Sequence, residues 1–348
     1  MKNKKNIKIW LILSSISALT TILPLATISC DHGVKQNSKE NKDDSKPDEN
    51  KPEPNPEGEK PGTIPEDKPE NPNKEDDSSN LNKTFEFELT ESNTWKITNF
   101  IGNDSKVTIP REYQGKNITE IGKEAFSGCP NLKEVILNEG LEKIDAWAFS
   151  DHVSPSTNIE SITIPGSVKE IGESAFLGCK NLKEVILNEG LEKIGAEAFK
   201  YTNIESITIP GSVKEIGQDA FYSCPNLKKV ILNEGLEKIG AEAFSGTKIE
   251  SITIPGSVKE IGYSAFSACQ NLKGVILNEG LEKIGAEAFW RTKIESITIP
   301  GSVKEIGLGT FSDCTGLKEV IYKGDASKID WENIGIDKTK IKIISSNN

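Results

Sequence analysis

The sequence predicts a β-rich solenoid, with one short strand and a compact return in each unit of 22 or 23 residues, preceded by a signal peptide and a disordered linker. Three observations carry that reading. NLKEVILNEGLEKI recurs verbatim at residues 131 and 181, and IESITIPGSVKEIG begins at residues 159, 204, 249 and 294. Phe126, Phe149, Phe176, Phe199, Phe221, Phe244, Phe266, Phe289 and Phe311 mark a beat of 22 or 23 residues, broken once by a spacing of 27. Each unit holds one short β-branched run, VIL or ITI, and no helical pattern of about 10 residues. Self-similarity at this period is the signature of stacked units that bury a continuous core only together.

Ahead of the repeats the chain divides by charge. Residues 1–30 hold four Lys and no Asp or Glu, whereas residues 31–80 hold 8 Lys against 15 Asp and Glu and no aromatic residue. Lys2, Lys4, Lys5 and Lys8 precede an apolar stretch from Ile9 to Ile28, and the segment ends in Thr27-Ile28-Ser29-Cys30. A basic start, an apolar middle and small residues before a break read as a secretory signal over residues 1–29. The alternative is an uncleaved membrane anchor, for which about 20 apolar residues suffice. The segment resembles a bacterial lipoprotein signal, which implies that Cys30 becomes a lipidated N-terminus; two acyl chains anchor stably where one is marginal. Thr27 stands where that family usually has Leu, a position that lipoproteins of wall-less mollicutes often relax, and the Lys, Asn and Ile richness is similar to their AT-rich coding.

Residues 30–80 follow as a lipid-anchored linker. The stretch 31–80 contains 8 of the 17 Pro and almost nothing apolar, so it cannot offset its ordering entropy. Its reach is about 40 Å as a flexible coil and roughly 155 Å fully extended. It reads as a spacer, with a binding tail for a basic partner as the alternative.

Residues 81–323 are assigned to the solenoid with its N-terminal cap, and 324–348 to a C-terminal cap. In one frame Leu132, Val135, Leu137, Leu141 and Ile144 match Ile159, Ile162, Ile164, Val168 and Ile171, so the 45-residue repeat is a double unit. The pattern of Leu, strand, Ile-Pro, Val, Ile-Gly, Ala-Phe and Cys, as from Ile159 to Cys179, resembles the bacterial surface leucine-rich repeats called BspA-like or Treponema-type. The resemblance covers about residues 105–323 and implies a leucine-rich repeat solenoid. ITNFIGNDSKVTIPREYQGKNITEIGKEAF resembles that family's opening unit, and IYKGDASKIDWENIGIDKTKIKII its closing segment around Trp331. Terminal units need such caps because each has a neighbour on one side only.

Stacking in this frame puts complementary charges side by side. One column reads Glu120, Lys143, Glu170, Lys193, Glu215, Lys238, Glu260, Lys283, Glu305; two more, starting at Glu142 and Lys133, alternate likewise. With rungs about 4.8 Å apart, a single-unit repeat would stack like charges, which gives the double unit a physical reason. Each exposed pair is worth at most about 1 kcal/mol, so the columns favour register more than stability. Glu139, Glu189, Glu234 and Glu279 remain as unpaired acidic positions. Cys129, Cys179, Cys224, Cys269 and Cys314 fall on every second rung, about 9.5 Å apart and beyond disulfide reach, and are expected as buried thiols beneath the returns.

Composition narrows function. The net charge of -11 opposes nucleic-acid binding, which depends on Lys and Arg neutralising phosphates. Two His, no nucleophile–base pair, no phosphate-cradling Gly loop and no metal-ligand spacing lead to the expectation of no enzyme, no cofactor and no metal. Strand alternation leaves Ile136, Ile186, Ile231 and Ile276 on the open face, in a column shared with Thr163, Thr208 and Thr253. That column is either a β-branched ladder that merely suits a sheet or an apolar stripe that binds another protein. Loop aromatics, Trp290 foremost, are further partner-binding candidates, as is the expansion after Phe149 with His152 and Pro155. The BspA-like resemblance implies adhesion to host cells or matrix proteins at the extracellular face of the membrane. A non-binding coat or size-variable antigen is the alternative.

Overall fold

Alternation decides which way each strand faces. In SITI and EVIL the second and fourth residues are buried and the first and third are not, so one face of each strand meets the core. The computed structural model describes residues 77–150 and 157–343. All described residues lie in one compact unit, Glu70–Asn348. Cys30, the signal and linker segments, His152 and Pro155 lie outside the described residues.

Each rung carries two strands, where the sequence pattern predicts one. Glu184–Leu187, for example, is followed by the two-residue strand Lys193–Ile194. The longer strands form an eight-stranded sheet from Lys106–Thr108 to Gly274–Leu277 and a three-stranded sheet of Ser296–Ile299, Glu319–Tyr322 and Ile341–Ile343. The shorter strands, each a charged residue and an inward Ile, form a parallel run from Lys143–Ile144 to Glu305–Ile306, which pairs at its start with the six-residue strand Lys116–Ile121. That sheet opens with the antiparallel pair Phe85–Leu89 and Trp95–Phe100. Two residues are too few to show a period in sequence. They become a strand because the neighbouring rungs offer matching donors and acceptors.

A third edge is built by the turns that carry Phe. Phe199 and Phe221 donate their backbone N–H to Ala220 and Ala243 of the next rung, each at 2.8 Å. The rings are fully buried and stack in one file, from 4.9 Å between Phe126 and Phe149 to 5.8 Å between Phe289 and Phe311. Burying each such ring contributes about 1.5–3 kcal/mol, which makes the file the main apolar spine.

Beneath the turns sit the thiols. Cys179, Cys224, Cys269 and Cys314 are buried, and Cys129 is partly buried; none of these five forms a disulfide. The Sγ of Cys224 donates to Phe199 O at 3.1 Å and meets the Thr202 hydroxyl at 3.3 Å; Cys269 repeats this with Phe244 and Thr247. Burial pushes both thiols up to about 11, so they serve as small packing groups rather than nucleophiles.

Aromatic residues close both ends. Phe87 stacks on Tyr113 at 4.0 Å, with Trp95 edge-on, and Phe85 and Phe100 cover the start of the Phe file. At the other end Trp331 packs edge-on to Tyr322 at 5.2 Å and donates Nε1–H to Ala326 O, above the buried Ile329 and Ile334.

Candidate interaction surface

The long-strand sheet is built in doublets. Ser206–Ile209 pairs with Lys229–Leu232 at all four positions, and Ser251–Ile254 pairs with Gly274–Leu277 in the same way. Between doublets only the first residue pairs, as Glu184 with Ser206 and Lys229 with Ser251. Proline supplies the reason. Asn188 and Asn233 close their doublets by donating N–H to Ile164 O and Ile209 O, both at 3.2 Å. The equivalent residues on the alternate rungs are Pro210 and Pro255, which have no N–H to give. Where the doublet edges part, an open cleft of ≈ 560 Å³ is lined by Lys229, Ile231, Leu232, Glu250, Ser251 and Thr253.

Along this face the four predicted isoleucines stand in one column. Thr163, Thr208 and Thr253 lie in register with Ile186, Ile231 and Ile276. Ile136, Ile186, Ile231 and Ile276 are 40, 46, 40 and 59% exposed, although they sit in regular strands flanked by fully packed neighbours. Trp290 is not part of the column. It lies in the turn after Phe289, half-buried, with the Arg291 guanidinium stacked 4.0 Å over its ring. The same turn edge holds Lys200, which bonds Glu197 at 2.9 Å and Asp219 at 3.2 Å and faces the rings of Tyr201 and Tyr222.

Charges flanking the sheets pair much as the columns predict. Lys193 meets Glu170 at 3.0 Å, Lys238 meets Glu215 at 3.2 Å, and Lys318 meets Glu295 at 3.1 Å. Two details differ. Lys143 turns from its column neighbours to Asp145, at 2.6 Å. Glu189, Glu234 and Glu279, expected as unpaired, each accept two backbone N–H groups from the next rung: Gly211 and Ser212, Gly256 and Ser257, Gly301 and Ser302. The hydrogen bonds from Gly211 and from Gly256 head the causes that hold the Glu189 and Glu234 carboxyls below their usual range. The sequence signal was there, a Glu at constant offset from the following Pro-Gly-Ser, but a side chain that bonds backbone has no complementary residue to reveal it.

The carboxylates of these columns recur along the stack, and many are engaged locally, as Glu170 is by Lys193 and Glu215 by Lys238. Among the described residues no group of three or more His, Cys, Asp and Glu is placed to hold a metal ion. Nor is any helix among them long and apolar enough to cross a membrane. Stacked rungs, an inward Leu/Ile/Phe core and an open strand face define a leucine-rich repeat solenoid, a fold typical of protein–protein interaction scaffolds. A family model described as BspA type leucine-rich repeat region, in six copies, matches residues 103–228, 154–273 and 237–346, and the chain belongs to that family.

One solved structure agrees in fold. A leucine-rich repeat protein from Bacteroides ovatus is 29% identical with a TM-score of 0.59, over 75% of this chain and 77% of that one. A T. pallidum leucine-rich repeat protein is 27% identical with a TM-score of 0.46, over 68% and 88%. A leucine-rich cell surface protein from Faecalibacterium prausnitzii is 22% identical with a TM-score of 0.32, over 73% and 97%. The structural likeness rests on the first of these. No curated protein matches the chain.

Proposed function

We propose that the chain is a lipid-anchored surface protein whose solenoid binds other proteins and serves adhesion to host cells or matrix proteins. Cys30 is the lipid attachment point, and residues 31–80 set the distance between membrane and solenoid. The observation that carries the binding reading is the isoleucine column. A sheet that needed only β-propensity would be served by Thr at every rung, as it is at Thr163, Thr208 and Thr253; Ile at every second rung leaves apolar surface in water, at a cost only a partner recovers. Binding of the full chain to intact host cells and to immobilised matrix proteins tests it, against a chain lacking two 45-residue double units. Graded loss with unit number supports the reading, and no binding above background by either chain contradicts it.

A coat or size-variable antigen is the second reading. It is favoured by the near-verbatim double units: deleting one brings the same Lys and Glu neighbours back into register. Unit number varying between isolates, without a binding phenotype, would select it.

A further inference from the structure

We propose that Ile186, Ile231 and Ile276, with the carboxylates of Glu189, Glu234 and Glu279 three residues further along the same rungs, form a track for one class of ligand: a polyproline II segment of a partner protein with apolar and basic residues at every third position. The proposal rests on the isoleucine face being the binding face, and it names what that face takes.

Spacing is the first ground. The isoleucines recur every second rung, about 9.6 Å at a strand separation of about 4.8 Å. A polyproline II chain has three residues per turn and rises about 3.1 Å per residue, so one edge repeats every ~9.3 Å, a slip of about 0.3 Å per step. A helix running the same way presents its face every seven residues, about 10.5 Å, and slips by about 0.9 Å per step. A β-strand repeats one face every ~6.7 Å and matches nothing here.

Charge is the second. Glu189, Glu234 and Glu279 are exposed and follow the isoleucine period. Their carboxylates are fixed by paired backbone N–H donors rather than neutralised by lysine. Lys169, whose Nζ reaches Gly190 O at 3.3 Å next to Glu189 in the chain, pairs with Glu192 at 3.4 Å. A ligand with a basic edge beside its apolar edge satisfies both columns at once. The chain's own Pro-rich segment does not, since residues 31–80 carry 15 Asp and Glu against 8 Lys.

The third ground is hydrogen bonding. Polyproline II has no internal hydrogen bonds, so its carbonyls need donors. Thr208 and Thr253, exposed between successive isoleucines, offer hydroxyls at the same period.

The test uses the full chain and four labelled peptides followed by fluorescence anisotropy: (Pro-Pro-Lys)4, about 37 Å when extended; the same composition without a three-residue period; (Pro-Pro-Glu)4; and a Leu/Lys heptad helix. The expected result is that (Pro-Pro-Lys)4 binds at least about tenfold tighter than the other three, a difference of ~1.4 kcal/mol. Ile186→Thr/Ile231→Thr/Ile276→Thr should abolish that advantage without adding charge. Glu189→Gln/Glu234→Gln/Glu279→Gln, which keeps an acceptor oxygen, should abolish discrimination between the Lys and Glu peptides. Circular dichroism and melting establish that each variant is folded. Equal binding of the aperiodic peptide, tighter binding of the helix, or no peptide binding overturns the proposal. If a natural partner is lost by the isoleucine variant while no periodic peptide binds, this proposal fails and the protein-binding reading stands.

Discussion

The carboxylate of Glu234 reaches forward one rung and accepts the backbone N–H of Gly256 at 3.0 Å. Ser257 donates to the other oxygen, also at 3.0 Å, so a side chain of one unit closes the turn of the next. The charged carboxylate accepts both bonds best, since protonation turns one of its two oxygens into a hydroxyl, and a folded carboxyl held below its unfolded value contributes stability that is fully present above the unfolded pKa. That contribution is lost as pH falls through the lowered folded value. Urea titrations between pH 7 and pH 2 should show a stability loss that Glu189→Gln/Glu234→Gln diminishes. NMR titration should place the Glu189 and Glu234 carboxyls below the usual range of about 4.3. An ordinary midpoint for both would contradict the assignment.

A break in the Phe file should divide the stack. Phe221 lies between Phe199 at 5.3 Å and Phe244 at 5.2 Å and is fully buried. Phe221→Ala should cost about 3–5 kcal/mol. Because each rung contacts only its neighbours, the two flanking halves should then melt separately. A calorimetric scan showing one cooperative transition with an unchanged midpoint would contradict this.

How much of this was legible varied with the kind of signal. The four-residue strands and their facing were readable because VIL and ITI repeat on a fixed beat, and the lysine–glutamate columns because both partners are side chains. The two-residue strand Lys193–Ile194 was not, since its identity comes from the rungs on either side. The Glu189 bond to Gly211 escaped for a related reason: one partner is backbone. The doublets had a visible cue, Asn188 alternating with Pro210, whose consequence appears only once the strands are side by side. On the candidate face, the isoleucine column was legible whole, and Trp290 was legible as a loop aromatic outside it, whereas the stacking of Arg291 on its ring was not.

Two glycines of the strand and turn regions should respond differently to a methyl group. Gly235 has φ +116, and a Cβ there runs into the carbonyl oxygen of Gly211. Gly274, which stands where other rungs have Glu184 or Lys229, would place its Cβ 3.4 Å from Ser251 Cβ. Gly235→Ala should destabilise by more than about 1 kcal/mol, and Gly274→Ala should be near neutral. Thermal melts of the two variants decide it, and equal midpoints would contradict the turn geometry.

Thiol labelling should follow burial. Cys224 and Cys269 are fully buried and Cys129 only partly, with all three pushed up to about 11 by burial. Thiolate is therefore scarce at neutral pH, and access decides the order. Mass-spectrometric mapping after iodoacetamide should find Cys129 modified well before Cys224 or Cys269 in the native protein, and all three in guanidinium. Early modification of Cys224 would show that the turn edge opens.

The central claim is that the isoleucine face of the long-strand sheet binds protein. The most direct measurement is the affinity of a protein ligand, once one is bound by the full chain, for Ile186→Lys/Ile231→Lys/Ile276→Lys beside Trp290→Ala. The account predicts a loss of at least about 100-fold, ~2.7 kcal/mol, for the isoleucine variant, with Trp290→Ala unchanged and both variants melting like the parent. Unchanged binding by the isoleucine variant, with or without loss at Trp290, would contradict it.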